Sequence, residues 1–225
     1  MQYAIIGAGG TGGVVGYFMT KAGKDVTLIA RGRHLEAMKK HGLTLERLWD
    51  PNPETIDVKA TDMEHYEEHP DVILVCVKGY SLEDTVPFIR RVAKPDTIVI
   101  PILNIYGTGA KLQKELPELL VTDGCIYVSA NIKEPGVLLQ HGKILRIVYG
   151  VREKAEERPE LEQIRQDFTD SSIDGILSEN IRREALEKFS YVSPIGAAGL
   201  YCNAVAGDFQ KEGAPRELFC SMIRE

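Results

Sequence analysis

The first thirty residues alternate apolar runs with a segment of helical periodicity. Apolar runs at 3–6 and 26–30 flank a segment in which Val14 and Phe18 recur at helical spacing, and Gly23 ends that segment. A strand, a crossover helix and a second strand form the unit from which parallel sheets are built. The pattern therefore predicts a βαβ unit and indicates an α/β fold.

The same alternation continues to about residue 177. The run at 71–78 is almost wholly apolar, as in a central strand that is buried on both faces. Ser81, with Asp84 three residues later, predicts the N-cap of a helix that runs to Ala93. Turn residues and periodic segments predict the other elements: a helix at 34–41, strands at 43–47 and 55–60 around a turn at 49–53, a strand at 97–101, a helix at 108–116, strands at 119–131, 137–140, 143–149 and 173–177, and an amphipathic helix within 151–170. Together they predict a Rossmann-type, doubly wound, mostly parallel sheet with added antiparallel edge strands.

The pattern becomes helical from Asn180 onward, and no strand alternation returns. Pro194 and Gly196 are expected to interrupt this helical region, and a new helix is predicted from Ala214. We place a domain boundary at 171/172, so that residues 1–171 form the α/β domain and residues 172–225 begin an all-helical domain. The second stretch is short for a domain and its last helix has no C-terminal cap, so we expect this helical domain to be truncated.

A glycine-rich turn lies between the first apolar run and the helix. It consists of Gly7, Ala8, Gly9, Gly10, Thr11 and Gly12, which have the G-x-G-x-x-G spacing of a dinucleotide-binding turn. Gly7 permits the tight turn, Gly9 lets backbone amides approach a pyrophosphate, and Gly12 lets the helix lie close to the sheet. The turn predicts a dinucleotide cofactor at the positive end of the helix. The alternative is a glycine-rich turn that arose by chance and binds no nucleotide.

The residue after the second strand distinguishes NADP from NAD. NAD-binding units carry an acidic residue about 20 residues beyond the glycines, where it holds the ribose 2′-hydroxyl. This chain has Arg31 instead, followed by Gly32, Arg33 and His34, with no acid nearby. Because arginine makes bidentate, charged hydrogen bonds to phosphate oxygens, Arg31 predicts NADPH as the cofactor. The alternative is that Arg31 is a solvated surface charge.

Composition and charge argue against several classes of protein. The 225 residues are 44% hydrophobic and 27% charged, and the formal net charge of −6 gives no reason to expect nucleic acid or an anionic membrane as a partner. The apolar runs, such as 72–77, are too short to span a membrane. The sequence opens on a strand rather than a signal peptide, and its four cysteines form no C-x-x-C pair, so a cytoplasmic protein with reduced thiols is expected. The five histidines lack metal-ligand spacing and are expected to be surface or core residues, so we expect no metal.

Two lysines and an asparagine are candidates for the chemistry of a reductase. Lys188 lies in a helical segment and can donate a proton to a carbonyl oxygen, provided that burial or a nearby cation lowers its pKa. Lys78 is the candidate for that cation, because it ends a strand at the carboxyl edge of the sheet, where ligands bind. Asn104 follows the next strand and is expected at the same edge. Each also has a simpler interpretation, since lysine is common on helix surfaces and asparagine in turns.

The chain resembles the ketopantoate reductases (2-dehydropantoate 2-reductases) along nearly all of its length. The matching segments are GAGGTG at 7–12, IARGRHLEAMKKHGL at 29–43, VCVKGYSLEDTV at 75–86, LNIYG at 103–107, EPGVLLQHG at 134–142 and ALEK at 185–188. That family reduces a 2-oxo acid to a 2-hydroxy acid with NADPH, in pantothenate and coenzyme A biosynthesis. The resemblance therefore implies a fold, a cofactor and a reaction.

The resemblance also implies roles for individual residues. Those implied to contact the cofactor are residues 7–12, Arg31, Lys78, Asn104 and Ile132. Lys78 and Asn104 would also contact the substrate, and Lys188 would be the proton donor. The helical domain would supply further substrate and dimer contacts.

Several positions near the implied proton donor depart from the family pattern. The family has tryptophan two residues before the lysine and asparagines four and eight residues after it, whereas this chain has Leu186, Val192 and Gly196. A further substrate asparagine matches Ala206. Ser193 and Asn203 are polar neighbours at different helix angles, and of these we expect Ser193 to contact the substrate in their place. Losing hydrogen-bond partners from a buried polar site weakens the binding of the usual substrate, so its identity carries over less well than the cofactor.

The sequence predicts an NADP-dependent oxidoreductase whose partner is a small 2-oxo acid, with ketopantoate as the expected substrate and pantoate as the product. Two alternatives stay open. The first is a reductase of a different 2-oxo acid, and the second is an NADP-sensing module without catalysis. A homodimer is compatible with the sequence, which does not decide the oligomeric state.

Overall fold

The computed structural model describes residues 1–224, which form thirteen strands and seven α-helices. The strands are β1 (Gln2–Ile6), β2 (Asp25–Ile29), β3 (Leu43–Arg47), β4 (Asp50–Ile56), β5 (Lys59–Thr61), β6 (Val72–Val75), β7 (Ile98–Pro101), β8 (Leu120–Val121), β9 (Asp123–Tyr127), β10 (Ala130–Glu134), β11 (Val137–Gln140), β12 (Arg146–Gly150) and β13 (Asp174–Leu177). The α-helices are α1 (Gly10–Lys21), α2 (Gly32–His41), α3 (Thr85–Val92), α4 (Thr108–Glu115), α5 (Pro159–Asp170), α6 (Ile181–Cys202) and α7 (Ala214–Arg224).

A six-stranded parallel sheet forms the centre of the fold. Its strand order is β5-β2-β1-β6-β7-β8, and every neighbouring pair runs parallel. The chain crosses from one side of β1 to the other between β2 and β6, so the crevice for a ligand opens at the carboxyl ends of β1 and β6. The predicted doubly wound α/β fold is therefore confirmed.

Both faces of this sheet are buried, which explains why its strands read as continuous apolar runs. Ile5 and Leu74 pack on one face with residues of α1 and α5, such as Val14 and Phe168. The neighbouring residues on the same strands point to the other face, where α3 and α4 cover them. Alternate side chains of a strand point to opposite faces, so a strand covered on both sides needs apolar residues throughout.

The additional strands form two separate small sheets, so the prediction of antiparallel strands at the edges of the central sheet was wrong. One sheet has the order β10-β11-β3-β4 and the other has the order β13-β12-β9. In the first sheet, β3 and β11 run parallel and bury Leu43, Leu45 and Leu138 in the same core as α1. The sheet is thus held by packing against α1 rather than by pairing with the edge strand β5.

Two proline-containing segments are more regular than the sequence suggests. The predicted turn at 49–53 and strand at 55–60 are replaced by β4, which includes Pro51 and Pro53. Since β4 is an edge strand, these prolines need no amide for a sheet partner. Helix α6 continues through Pro194 and Gly196, whereas an interruption was expected. Pro194 is buried, and its packing offsets the lost backbone hydrogen bond.

Other boundaries also shift. Helix α3 begins at Thr85 instead of after Ser81, because residues 79–81 form a single 3₁₀ turn. The predicted strand at 119–131 divides into β8, β9 and the start of β10.

The C-terminal region is helical, as predicted, and α7 begins at Ala214. The domain boundary at 171/172 stays a prediction; the chain just beyond it adds β13 alongside β12. None of the helices within residues 1–224 is long and apolar enough to cross a membrane.

A buried carboxylate fixes the first strand to α5. The Tyr3 hydroxyl donates a hydrogen bond of 2.5 Å to Asp167 Oδ2, and Lys24 Nζ lies 2.9 Å from Asp167 Oδ1. Gln163 Nε2 donates a third bond to the same carboxylate. Burial alone would raise the pKa of Asp167, but these three hydrogen bonds outweigh it and hold the pKa below its usual value.

Replacing Asp167 with Asn is expected to lower the free energy of unfolding by about 1–3 kcal/mol at neutral pH, because Tyr3 loses a charged acceptor. The folded-state pKa is lowered, so the stabilisation is present above the unfolded value of about 3.9 and is lost as pH falls through the folded value. Urea unfolding at several pH values measures both effects. Asp170→Asn, which removes the exposed carboxylate that pairs with Lys24 and accepts from Gln166, is the control and should change stability far less. Equal effects of the two variants, or a difference that persists at strongly acidic pH, would contradict this role.

Candidate active site

The glycine-rich turn follows β1 and is packed too closely for side chains at most of its positions. Gly7 has a φ of +97°, and a Cβ there would lie 3.0 Å from the backbone of Cys76. A Cβ on Gly10 would lie 2.2 Å from the carbonyl oxygen of Ala130 on β10. A Cβ on Gly12 would lie 2.3 Å from the Gly7 carbonyl oxygen. The turn is thus wedged between the end of β6 and β10.

Gly9 differs from its neighbours because it faces open space. A Cβ added there would meet no atom of residues 1–224 within 4 Å. The first backbone hydrogen bond of α1 runs from the Gly13 amide to the Gly9 carbonyl at 2.7 Å. Within the described residues, the amides of 9–12 have no hydrogen-bond acceptor, so they are free for a ligand. Free amides at a helix N-terminus beside open space suit the pyrophosphate of a dinucleotide.

His34 holds the other side of this turn, a role that the sequence analysis missed. Its Nδ1 accepts a hydrogen bond of 3.0 Å from the Gly136 amide, and its Nε2 lies 2.9 Å from the Ala8 carbonyl oxygen. Nε2 must therefore carry the proton, so the ring is the neutral tautomer. Burial lowers the pKa of His34, which also favours the neutral form. The feature of the sequence that could have indicated this role is the position of His34 in the first turn of α2, three residues after Arg31.

Arg31 stands at the N-cap of α2, just beyond the end of β2. Its side chain is exposed and forms no ion pair within residues 1–224. The position fits a 2′-phosphate on the cofactor ribose, because the guanidinium is free to make charged hydrogen bonds.

Lys78 and Asn104 follow β6 and β7, which are neighbours in the central sheet. Both residues are exposed at the carboxyl edge, and their loops touch where Gly79 packs against Ile105. The structure therefore brings together the two residues that the sequence analysis placed at this edge.

Lys188 reaches the same edge from α6. Its Nζ donates a hydrogen bond of 2.5 Å to Asn104 Oδ1 and lies 5.4 Å from the centre of the Tyr127 ring. The side chain is only 8% exposed, and this burial lowers the pKa of Lys188, with Cys125 opposing the shift. Lys78 does not contribute to this lowering of the Lys188 pKa. Burial has the effect that the sequence analysis allowed for either burial or a nearby cation.

A small cavity lies beside the Lys188–Asn104 pair, and most of its wall is apolar. Val192, one helical turn after Lys188, lines it, whereas Ser193 is exposed and does not. The other lining residues are Leu103, Ile105, Tyr106, Gly124, Cys125, Ala185 and Phe189. Ser193 is not part of this cavity wall, and its predicted contact with the substrate stays a prediction.

Ile132 stands on β10, two residues after the point at which Gly10 packs against that strand. Its side chain is 41% exposed. An exposed apolar side chain beside the glycine-rich turn is placed where a cofactor would pass, although the contact itself stays a prediction.

Comparison with known families decides the family of this chain. Residues 3–154, which include the glycine-rich turn, Arg31, Lys78, Asn104 and Ile132, match the family model of ketopantoate reductase PanE/ApbA. The chain belongs to this ketopantoate reductase family. It is 32% identical over 200 residues to a 2-dehydropantoate 2-reductase of Pyrococcus horikoshii, a match that covers 88% of this chain and 64% of that protein. The chain thus spans a little under two thirds of the length of that relative.

Solved structures share the fold. The 2-dehydropantoate 2-reductase of Geobacter metallireducens superposes with a TM-score of 0.88 at 21% identity, covering 100% of this chain and 73% of that one. A D-mandelate dehydrogenase solved with NADH and anilino(oxo)acetate superposes with a TM-score of 0.87 at 20% identity, covering 97% and 70%. At these identities the likeness establishes the ketopantoate reductase fold and leaves cofactor and substrate to the residues of this chain.

Gly9 and Gly10 provide a matched pair of variants. Gly10→Ala is expected to lower the free energy of unfolding by about 1–3 kcal/mol, because its methyl group would overlap the Ala130 carbonyl. Gly9→Ala should leave stability unchanged, since Gly9 has φ −76° and nothing near its Cβ position. It should instead weaken the binding of NADPH by roughly tenfold or more, because the methyl group occupies the approach of the pyrophosphate. Thermal unfolding and a fluorescence titration with NADPH measure the two effects. Unchanged NADPH affinity in Gly9→Ala would contradict this placement of the cofactor.

Proposed function

We propose that this chain catalyses the NADPH-dependent reduction of a 2-oxo acid to a 2-hydroxy acid, with ketopantoate as the substrate. The observation that carries the proposal is the buried Lys188 ammonium, hydrogen-bonded to Asn104 at the sheet edge that also carries the glycine-rich turn. Family membership and the names of the relatives support the same reaction.

The choice of NADPH rests on residues of this chain. The free amides of 9–12 fit a pyrophosphate, and Arg31 without an ion pair in residues 1–224 fits a 2′-phosphate. An acidic residue, which would prefer a ribose hydroxyl and repel a phosphate, is missing where Arg31 stands. When bound, NADPH supplies the hydride that reduces the ketone carbon.

Lys188 is the proton donor in this proposal. Its ammonium protonates the ketone oxygen as negative charge develops there, which produces the hydroxyl group of the product. Burial lowers the pKa of Lys188 and so makes the proton easier to give up. Asn104 accepts one N–H of the ammonium and thereby fixes the position of Nζ. Lys78 is exposed in the loop after β6, and its proposed role is to attract the carboxylate of the substrate or a cofactor phosphate.

A second candidate function is the same reduction on a 2-oxo acid with an apolar substituent. The observation that favours it is Val192, which faces the cavity beside Lys188. Valine offers no hydrogen bond to a substrate hydroxyl, and a hydroxyl buried without a partner costs binding free energy. The D-mandelate dehydrogenase with this fold was solved with anilino(oxo)acetate, which carries an anilino group on its oxo carbon, and this supports the second candidate.

Replacing Lys188 with Ala is expected to lower kcat by about 10²- to 10⁴-fold, while the Kd for NADPH stays the same. Steady-state kinetics and a separate NADPH titration distinguish the two quantities. Since the reaction needs the charged form, kcat/KM of the wild-type enzyme should fall as pH rises through a pKa below the ordinary lysine value. Lys211→Ala, at an exposed lysine whose one ion-pair partner within residues 1–224 is Asp208, is the control. Full turnover in Lys188→Ala would contradict the role of Lys188.

Val192→Asn separates the two candidate substrates. Ketopantoate and trimethylpyruvate differ only by a hydroxyl group, and a pocket built to bind a hydroxyl discriminates strongly against the analogue that lacks it. If the second candidate is correct, the wild-type enzyme prefers trimethylpyruvate, and Val192→Asn shifts the ratio of kcat/KM values toward ketopantoate by about tenfold or more. A wild-type preference for ketopantoate that Val192→Asn leaves unchanged would contradict the second candidate and support the first.

A further inference from the structure

We propose that His34 is a positioning residue for cofactor binding, which orients the peptide between Ala8 and Gly9 so that the Gly9 amide faces the pyrophosphate. The inference rests on the proposed NADPH site. His34 itself is placed on the opposite side of the turn from that site, so its effect would pass through the backbone.

The geometry of a trans peptide relates the direction of the Gly9 amide to that of the Ala8 carbonyl. The carbonyl and the amide of one peptide unit point in opposite directions, and the described residues contain no cis peptide bond. The Ala8 carbonyl is held by His34 Nε2 at 2.9 Å. The Gly9 amide, in the same peptide unit, must then point away from His34. Gly9 is the residue of the turn beside which the space is open.

The Ala8 carbonyl accepts from His34 and takes no part in the helical hydrogen bonds of α1. In an α-helix the Ala8 carbonyl would accept from the Gly12 amide, four residues later. Here it accepts from His34, and the first helical hydrogen bond starts one residue later, from Gly13 to Gly9. The Gly12 amide has no acceptor within the described residues. The amides of Gly7 and Ala8 point elsewhere, since both donate to the Ile29 carbonyl.

His34 can act in this way because its own ring is fixed. The Gly136 amide donates to Nδ1, and the Gly136 carbonyl in turn accepts from the Thr44 amide at 2.9 Å. Gly136 has a φ of +81° and lies against Ala37, one turn after His34 on α2. The ring is therefore held between α2, the β10–β11 turn and β3, so that the orientation of the turn depends on packed backbone rather than on a mobile side chain.

Three substitutions of His34 separate its two hydrogen bonds. His34→Gln keeps an N–H donor at about the position of the histidine Nε2, where it can still reach the Ala8 carbonyl. His34→Asn keeps an acceptor near Nδ1 but is too short to reach Ala8, and His34→Ala keeps neither. The matched control is His41→Gln, at the exposed C-terminal end of the same helix. The ligands are NADPH, which carries the pyrophosphate, and 2′-AMP, which carries the 2′-phosphate without it.

We expect His34→Ala and His34→Asn to weaken the binding of NADPH by about tenfold or more, while the binding of 2′-AMP changes little. His34→Gln should recover most of the NADPH affinity, and His41→Gln should match the wild type. In kinetics, KM for NADPH should rise while kcat at saturating NADPH is retained. Thermal unfolding of each variant identifies any that fail to fold, and His34→Gln keeps the test decisive if His34→Ala does not fold.

Three results would overturn the inference. They are unchanged NADPH affinity in His34→Ala, equal losses for NADPH and 2′-AMP, and a folded His34→Gln that binds NADPH no better than His34→Ala. Equal losses would indicate a general loosening of α2. Failure of the wild-type chain to bind NADPH is a distinguishable outcome, because it would contradict the proposed function before any variant is compared.

Discussion

Close backbone packing around the glycine-rich turn is the constraint on which the rest of the site depends. The turn leaves β1 between the end of β6 and β10, and side chains at Gly7, Gly10 or Gly12 would collide with neighbouring atoms. The Gly7 and Ala8 amides donate to the Ile29 carbonyl of β2, and His34 donates to the Ala8 carbonyl. The amides of residues 9–12 are not used to fix the path of the backbone. The amides of residues 9–12 have no acceptor within the described residues, and the space beside Gly9 is open. A well-defined anion site therefore follows from steric exclusion on one side and an unfilled helix N-terminus on the other.

A second constraint connects the helical region to the sheet. Lys188 is buried at the junction, and an ammonium out of water is costly unless polar groups compensate for lost hydration. Asn104 and the face of the Tyr127 ring provide that compensation, but only in part, so the pKa of Lys188 stays lowered. The same burial that positions the side chain thus prepares it to give up a proton. Position and acidity have one physical cause, which the sequence pattern alone could not indicate.

Local chemistry in the sequence was enough to predict the framework. The apolar runs before Gly7 and before Lys78 could only be strands covered on both faces, and the glycine spacing fixed the first turn. Arg31, Lys78 and Asn104 follow strands whose carboxyl ends meet at one edge, so their proximity followed from parallel topology. Lys188 was a weak candidate from the residues alone, because a lysine in a charged helical segment carries no signal of burial, and the family resemblance strengthened its role as proton donor.

The features that were missed depend on contacts distant in sequence. The small sheet containing β3 and β11 forms because Leu43 and Leu138 share a core with α1, and neither segment signals the other. The ring of His34 is held by a hydrogen bond from the Gly136 amide, and Gly136 lies about a hundred residues later in the sequence. Helix α6 continues through Pro194 because tertiary packing outweighs a local preference that would end it. In each case a local rule was overridden by a partner that only the folded chain brings into contact.

The most direct measurement is the loss of NADPH absorbance when ketopantoate is added, with NADH followed in parallel. A reductase with Arg31 at the ribose and Lys188 as the proton donor should oxidise NADPH rapidly and NADH much more slowly at the same concentration. Tight binding of NADPH with no oxidation by ketopantoate, trimethylpyruvate or any other 2-oxo acid would contradict the assignment and favour an NADP-sensing module without catalysis.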